Sequence, residues 1–507
     1  MSTVLPESPE PTAPGSTATP ATTEAPRTGP TALESAAHAV DAAGLPADFA
    51  YLELAEVAEL LRSGRTTSRA LTEAMLARID RLDPQLRSYI TVMRESALAA
   101  ADRADQEIAR GGYRGALHGV PIAVKDLFFT VDAPTGAGMT VYKDFRPEFD
   151  ATVVARLRAA GAVILGKLTM TEGALSQHHP DLLTPVNPWD ADTWTGVSSS
   201  GSGVAAAAGL AFATLGTDTG GSIRTPSAQN AVTGLKPTWG LVSRYGAFDL
   251  APSLDHIGPM CRSARDAAIV LSVIAGPDVN DPTVEPRPVP AYEELVLDRV
   301  PTVGVAPALM GYFDEATRAV VANTAAVARG LGWNVVDVEL PDFVSANADW
   351  PLLVGVEVAH AHRDTYPARK DEYASVLTGR IEDGLRATAV EYQAAMERRR
   401  AFTGRMHALF AGIDILLLPG VGEASPTWAE IDAATADPAD SRLRSLPVAP
   451  IDNANLPSLT LPAGWTDGGT PLGVQFVGGP WSEQLLLAAG HAFQQVTDFH
   501  RKHPSLG

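Results

Sequence analysis

Strand-length apolar runs alternate with helix-periodic segments over about 400 residues of this chain, and that alternation restricts its fold more than any other feature. "VPIAVKD" from Val120, "AVILG" after Gly161, "NVVDVEL", "GIDILLLPG" and "PLGVQFVGG" read as buried or partly buried strands closed by Gly, Pro or charge. Between such runs, "TSRALTEAMLARIDRLDP" begins with hydroxyl residues suited to an N-cap. It sets Leu71, Met75, Ile79 and Leu82 on one helical face, and Pro84 is expected to stop it. "ATVVARLRAAG" and "EATRAVVANTAAVARGLGW" read as further helices, the second with Val320, Val327 and Leu331 on one side. Such alternation predicts an α/β sandwich around a mostly covered sheet. The Pro-rich stretch 276–302 reads as a surface crossover inside one domain.

Composition narrows the functional classes. The formal charge is −20, from 39 basic and 59 acidic residues. So acidic a surface opposes long-range attraction to nucleic acid or anionic lipid, and neither is expected as a partner. Cys261 is the only cysteine, which excludes an intrachain disulfide and a cysteine-built zinc site and fits a reducing cytoplasm. Residues 1–44 are rich in Pro, Thr, Ala and Ser with few large apolar groups, and are expected to form a disordered tail. The opening "MSTVLPESPEPTAPGSTATP" lacks the cationic and apolar regions of a secretory signal. No apolar run approaches the roughly 20 residues of a transmembrane helix. The expected location is the cytoplasm.

Four stretches come close to known chemistry and fail. "GAVILGKLT", Gly161 to Thr169, nearly spells a phosphate-binding loop, but Leu168 stands where a magnesium-binding hydroxyl is needed and "AVIL" is a buried strand. "GGSIR" has Arg224 where a G-x-S-x-G elbow needs its last glycine. Glu357, His360 and His362 in "EVAHAH", and His178 and His179 in "QHH", lack a third ligand at helical spacing, so no metal is expected.

"GVSSSGSGVAAAAGLAFATLGTDTGGSIRTPS", from Gly196 to Ser227, looks first like a Gly/Ser linker. The serines run directly into an apolar segment that must be buried, so it is not one. The glycines around Ser222 permit a tight turn whose successive amides converge on an anion, with the Ser222 hydroxyl beside them. On its own that turn is compatible with a nucleophile or with the polar tip of a loop. Lys125 ends the apolar run "GVPIAVK". It is either a lysine reaching for solvent from a strand end or, if desolvated, a neutral amine able to act as a base.

Taken together, "GVPIAVKD", "GVSSSGSG" and "GTDTGGSIRTPSAQNAVTGLKPTWG" resemble, in that order, the motifs of the amidase signature family. "AGAVILGKLTMTE", "NPWD", "SLDHIGPM", "ILLLPG", "NLPSLTLPAG" and "PLGVQFVGG" are similar to its supporting segments, over about residues 50–495. The resemblance implies a large mixed β-sheet covered by helices on both faces, forming a single catalytic domain over 45–505. It implies an amidase, a hydrolase that cleaves a carboxamide C–N bond through an acyl-enzyme, without cofactor or metal. By resemblance Ser222 is the nucleophile, and Ser198, whose preceding peptide is cis in the family, relays protons to neutral Lys125. The amides of Thr219, Gly220, Gly221 and Ser222 line the oxyanion hole. Ser199 supports the relay, Asp218 and Arg224 pair to brace the glycine turn, Lys236 is structural, and residues 172–179 lie beside the substrate. The expected partner is a small-molecule amide; a carbamate or ester would use the same machinery. Homodimers are common in the family, and the sequence does not show one here. A second reading is the amidase component of a tRNA-dependent amidotransferase. Val197 and Ser200 stand where the family has glycines. Tyr142, Trp350 and His360 are open between pocket wall and core.

Overall fold

The computed structural model describes residues 44–435 and 444–506; the tail expected over 1–44 lies outside the described residues except for Gly44. Eleven strands form one sheet: β1 (Tyr89–Val92), β2 (Pro121–Lys125), β3 (Val163–Leu168), β4 (Ala213–Asp218), β5 (Thr233–Lys236), β6 (His256–Cys261), β7 (Thr302–Val305), β8 (Asn334–Asp337), β9 (Ile415–Pro419), β10 (Ser458–Trp465) and β11 (Pro471–Gly478). Their order is β1-β3-β2-β4-β6-β5-β10-β11-β9-β7-β8. Pairing is parallel for β3–β2–β4 and for β9–β7–β8, and antiparallel through the middle from β4 to β9. The sheet is therefore mixed. Every residue of β2, β3, β4, β6 and β9 is buried, so both faces are covered, as continuous apolar runs require.

The helix of the first amphipathic segment spans Ser68–Leu86, and Thr67 caps it by accepting from the Ala70 amide. Leu71, Met75, Ile79 and Leu82 are buried. Pro84 does not stop this helix. It sits inside the last turn; the helix ends two residues later at Leu86, and Arg87, with a φ of 57°, reverses the chain's course. The Asp83 carboxylate receives the amides of Ser88 and Tyr89 and the Ser88 hydroxyl, which steers the exit into β1. Up to residue 301 the segment expected over 276–302 carries no helix or strand, and it links the Ala264–Ile274 helix to β7, which begins at Thr302.

The phosphate-loop look-alike is β3. Its Lys167 is buried against Asp126, 3.1 Å away, and donates to Thr135 Oγ1 at 2.8 Å. The serine–glycine segment is the fully buried helix Ser200–Ala207. Small residues are needed there: a Cβ on Gly201 would lie 2.5 Å from Thr169 O and 2.6 Å from Ser88 O. This close approach lays the helix against the strands that end at the site.

Candidate active site

β2 and β4 run side by side in parallel, with Ala123 opposite Thr214 and Val124 opposite Leu215. Their carboxyl ends therefore bring Lys125 next to Thr217 and Asp218. Lys125 is fully buried; its Nζ lies 2.7 Å from Ser198 Oγ and 2.8 Å from Thr217 Oγ1. Burial pushes the amine down to about 7, against the opposing pull of the Asp218 and Asp255 carboxylates. A neutral amine at that distance from a hydroxyl is able to take its proton.

Ser198 precedes the Ser200–Ala207 helix, and the Val197–Ser198 peptide is cis. The Thr171 amide donates to Ser198 O at 3.3 Å. Ser199 fastens this loop to its neighbours: its amide donates to Ser222 O at 3.3 Å and its Oγ donates to Thr217 O at 3.2 Å. Ser222, half-buried, lines a cavity of about 670 Å³. Among the described residues its Oγ has no hydrogen-bond partner; the Ser199–Ser222 backbone bond ties the two serine segments together. Catalytic hydrogen bonds are commonly long before substrate closes them.

The turn carrying Ser222 is built on Asp218. One carboxylate oxygen accepts from the Gly221 amide at 2.6 Å, and the other from the Ile223 amide at 3.0 Å. Arg224 returns to the same carboxylate with Nε and Nη2, each at 3.0 Å. Burial alone would raise the Asp218 pKa; Arg224 overrides it and holds the carboxyl far below its usual range. Of the four amides expected to line an oxyanion hole, one is engaged within the protein. Gly221 N–H is taken by Asp218, which leaves the amides of Thr219, Gly220 and Ser222 without an acceptor among the described residues.

Several residues that bear on the site come from outside its three motifs. Asp452 accepts from Arg224 Nη2 at 2.5 Å, extending the brace to a second carboxylate. Trp350, on the Phe343–Ala361 helix, donates from Nε1 to Thr219 O at 2.8 Å, and its ring covers Gly220, where a Cβ would come within 2.7 Å. Trp194, Trp428, Arg380 and His178 line the cavity, from segments far apart in the chain. Of the residues left open, Trp350 lines the cavity, Tyr142 packs against Phe248 with ring centres 5.3 Å apart, and His360 is exposed. Lys236 is buried away from Lys125, donating to Leu456 O, and burial pushes it down to about 8. Glu357 is engaged by Ser253 and Tyr392. Among the described residues, no group of three His, Cys, Asp or Glu side chains is placed to hold a metal ion.

A family model described as Amidase matches residues 70–487. The chain belongs to the amidase family. It is an amide-hydrolysing enzyme on a single α/β domain with a large mixed sheet. The chain is 55% identical over 454 residues to "Putative amidase AmiD" of Mycobacterium bovis, covering 89% of this chain and 96% of that protein. It is 38% identical over 481 residues to the A subunit of the glutamyl-tRNA(Gln) amidotransferase of Halorhodospira halophila, covering 89% and 98%. Its structure is similar to that of the peptide amidase PAM in complex with the competitive inhibitor chymostatin, with a TM-score of 0.77, 31% identity and coverage of 90% and 100%. In this amidase, Ser222 lines a cavity together with Thr219, Gly220 and Trp350.

Proposed function

We propose that this amidase cleaves a small-molecule carboxamide through an acyl-enzyme on Ser222. Neutral Lys125 takes the proton of Ser198 as Ser198 takes that of Ser222, and Ser222 Oγ attacks the amide carbon. The tetrahedral oxyanion is received by the amides of Thr219, Gly220 and Ser222. The C–N bond then breaks as the relay returns a proton to the leaving amine, and water releases the acid by the same route in reverse. Ser199, Asp218 and Arg224 hold the parts in register. The observation that carries this reading is a fully buried lysine with its amine 2.7 Å from Ser198, whose neighbour Val197 lines the same cavity as Ser222. An ester or carbamate fits the same machinery. We place the enzyme in the cytoplasm; its one cysteine, Cys261, is free and buried, and no helix among the described residues is long and apolar enough to cross a membrane.

The 36–38% identities to amidotransferase A subunits favour a second reading, in which the chain works with partner subunits on glutamine. The greater identity to the amidase of Mycobacterium bovis favours the stand-alone enzyme. Glutaminase activity together with copurifying subunits separates the two.

Fluorophosphonate labelling of the purified protein, mapped by mass spectrometry beside Lys125→Ala, tests the site. An adduct on Ser222 that forms far more slowly in the variant is expected. Labelling at another residue refutes the nucleophile, and an unchanged rate without Lys125 refutes the base.

A further inference from the structure

Val197 and Ser200, the two residues that stand where the family has glycines, flank Ser198 and Ser199; Val197 lines the cavity, and Ser200 bears on it through His178. Val197 lines the cavity and packs on the cluster of Trp194, Val421 and Ile431. Ser200 is fully buried, and its Oγ lies 2.9 Å from His178 Nε2. The His178 ring lines the same cavity as Ser222 and stands edge-on to Trp428, centres 6.1 Å apart.

The hydrogen bond also sets where the His178 proton sits. His178 is the only partner of the Ser200 hydroxyl among the described residues, and a buried hydroxyl left without an acceptor is costly. The hydroxyl therefore donates to Nε2. A neutral imidazole with Nε2 accepting carries its proton on Nδ1. Burial pushes His178 down to about 4, so the ring stays neutral at working pH. With Nε2 occupied and Nδ1 protonated, His178 has no lone pair to serve as a base. It is a fixed N–H donor in the cavity wall, and Nδ1 has no protein partner among the described residues.

We propose that His178, oriented by Ser200, is a substrate-binding residue that donates Nδ1–H to an oxygen of the substrate beyond the scissile amide, so that amides bearing a second carbonyl-type acceptor are the preferred class. This rests on the reading of the Ser222 cavity as the substrate site. The tryptophans of that wall, Trp194, Trp350 and Trp428, suit a flat apolar body between the two polar ends.

The test uses phenylalkanamides that carry a ketone at carbon 3, 4 or 5, each matched with the compound that has a methylene there. Binding is measured by calorimetry in Ser222→Ala protein, where turnover does not interfere. One ketone position should bind about five- to tenfold tighter than its methylene match, the size of one neutral hydrogen bond. That ratio should fall to near one with His178→Phe added, and fall in part with Ser200→Ala. In wild-type protein, ¹⁵N NMR of the His178 imidazole should show the proton on Nδ1, a readout that needs no ligand. A proton on Nε2, equal binding of every matched pair, or a preference that survives His178→Phe overturns the proposal. Hydrolysis by the Ser222→Ala protein would count against the nucleophile assignment alone, and the comparison of affinities would still stand.

Discussion

Lys125 lies at the end of a strand, fully buried, and the free energy of keeping it neutral has consequences for both rate and stability. Its amine is lowered from 10.5 to about 7 by burial, a difference of about 3.5 units, or roughly 5 kcal/mol at 1.36 kcal/mol per unit. About half of the molecules then hold a neutral amine at pH 7, against roughly one in 3,000 for a free lysine. The rate constant kcat/KM should therefore rise with pH through about 7 and level off above 8. Stability follows with a definite sign. Between pH 7 and 10.5 the unfolded chain binds the proton and the folded chain does not, so the unfolding free energy gains about 1.4 kcal/mol per pH unit from this group. Below pH 7 both states are protonated and the full penalty stays. Comparison of the wild type with Lys125→Met removes the contributions of all other groups. pH–rate profiles and denaturant unfolding of both proteins from pH 6 to 9 provide the assay. The difference in unfolding free energy should shift toward the wild type by about 2–3 kcal/mol between pH 7 and 9, and the variant should lose about 10²–10⁴-fold in activity. A constant difference across that range, or a variant that keeps the acid limb near pH 7, refutes the assignment of a neutral buried lysine.

Other changes have separate outcomes. Trp350→Phe removes the donor to Thr219 O, 2.8 Å away, and should lower kcat/KM about five- to tenfold with little effect on the thermal midpoint, as steady-state kinetics and calorimetry would show. Gly201→Ala drives a Cβ to 2.5 Å from Thr169 O and should cost about 1–3 kcal/mol, read as a lower denaturant midpoint. Asp218→Asn leaves Arg224 without half of its buried charge compensation. It should cost about 3–5 kcal/mol and slow Ser222 labelling, and a variant as stable as the wild type would show that the pair does not brace the turn.

The parts of the site that depend on local chain pattern are legible in the sequence. Lys125 closes an apolar run that can only be a buried strand, and the glycines beside Ser222 announce a tight turn. The small residues after Ser198 lead into an apolar segment that must be buried, though the pattern does not show that this segment is a helix. What long-range packing decides is not legible. Gly221 looks like an open donor because nothing in "TDTGGSIR" reveals that the Asp218 side chain folds back to take its amide. Trp350 joins the site only because the Phe343–Ala361 helix lies across Gly220. Asp452 reaches Arg224 from 228 positions away. Pro84 has the chemistry of a helix stop, yet a proline near the end removes a hydrogen bond without forbidding one more half-turn. The His178–Ser200 contact joins two residues that stand apart in the sequence, one in an apparent metal-site fragment and one in a departure from a glycine pattern.

The central claim is a covalent acyl group on Ser222, and its most direct test is to trap that group. The enzyme would be mixed with a slowly deacylated aryl ester, quenched in acid within milliseconds to seconds, and its intact mass and peptides read. A mass increase equal to the acyl group, located on Ser222 and absent from Ser222→Ala, is the predicted result. Turnover with no protein-bound acyl group, or an acyl group located on another residue, would contradict the account.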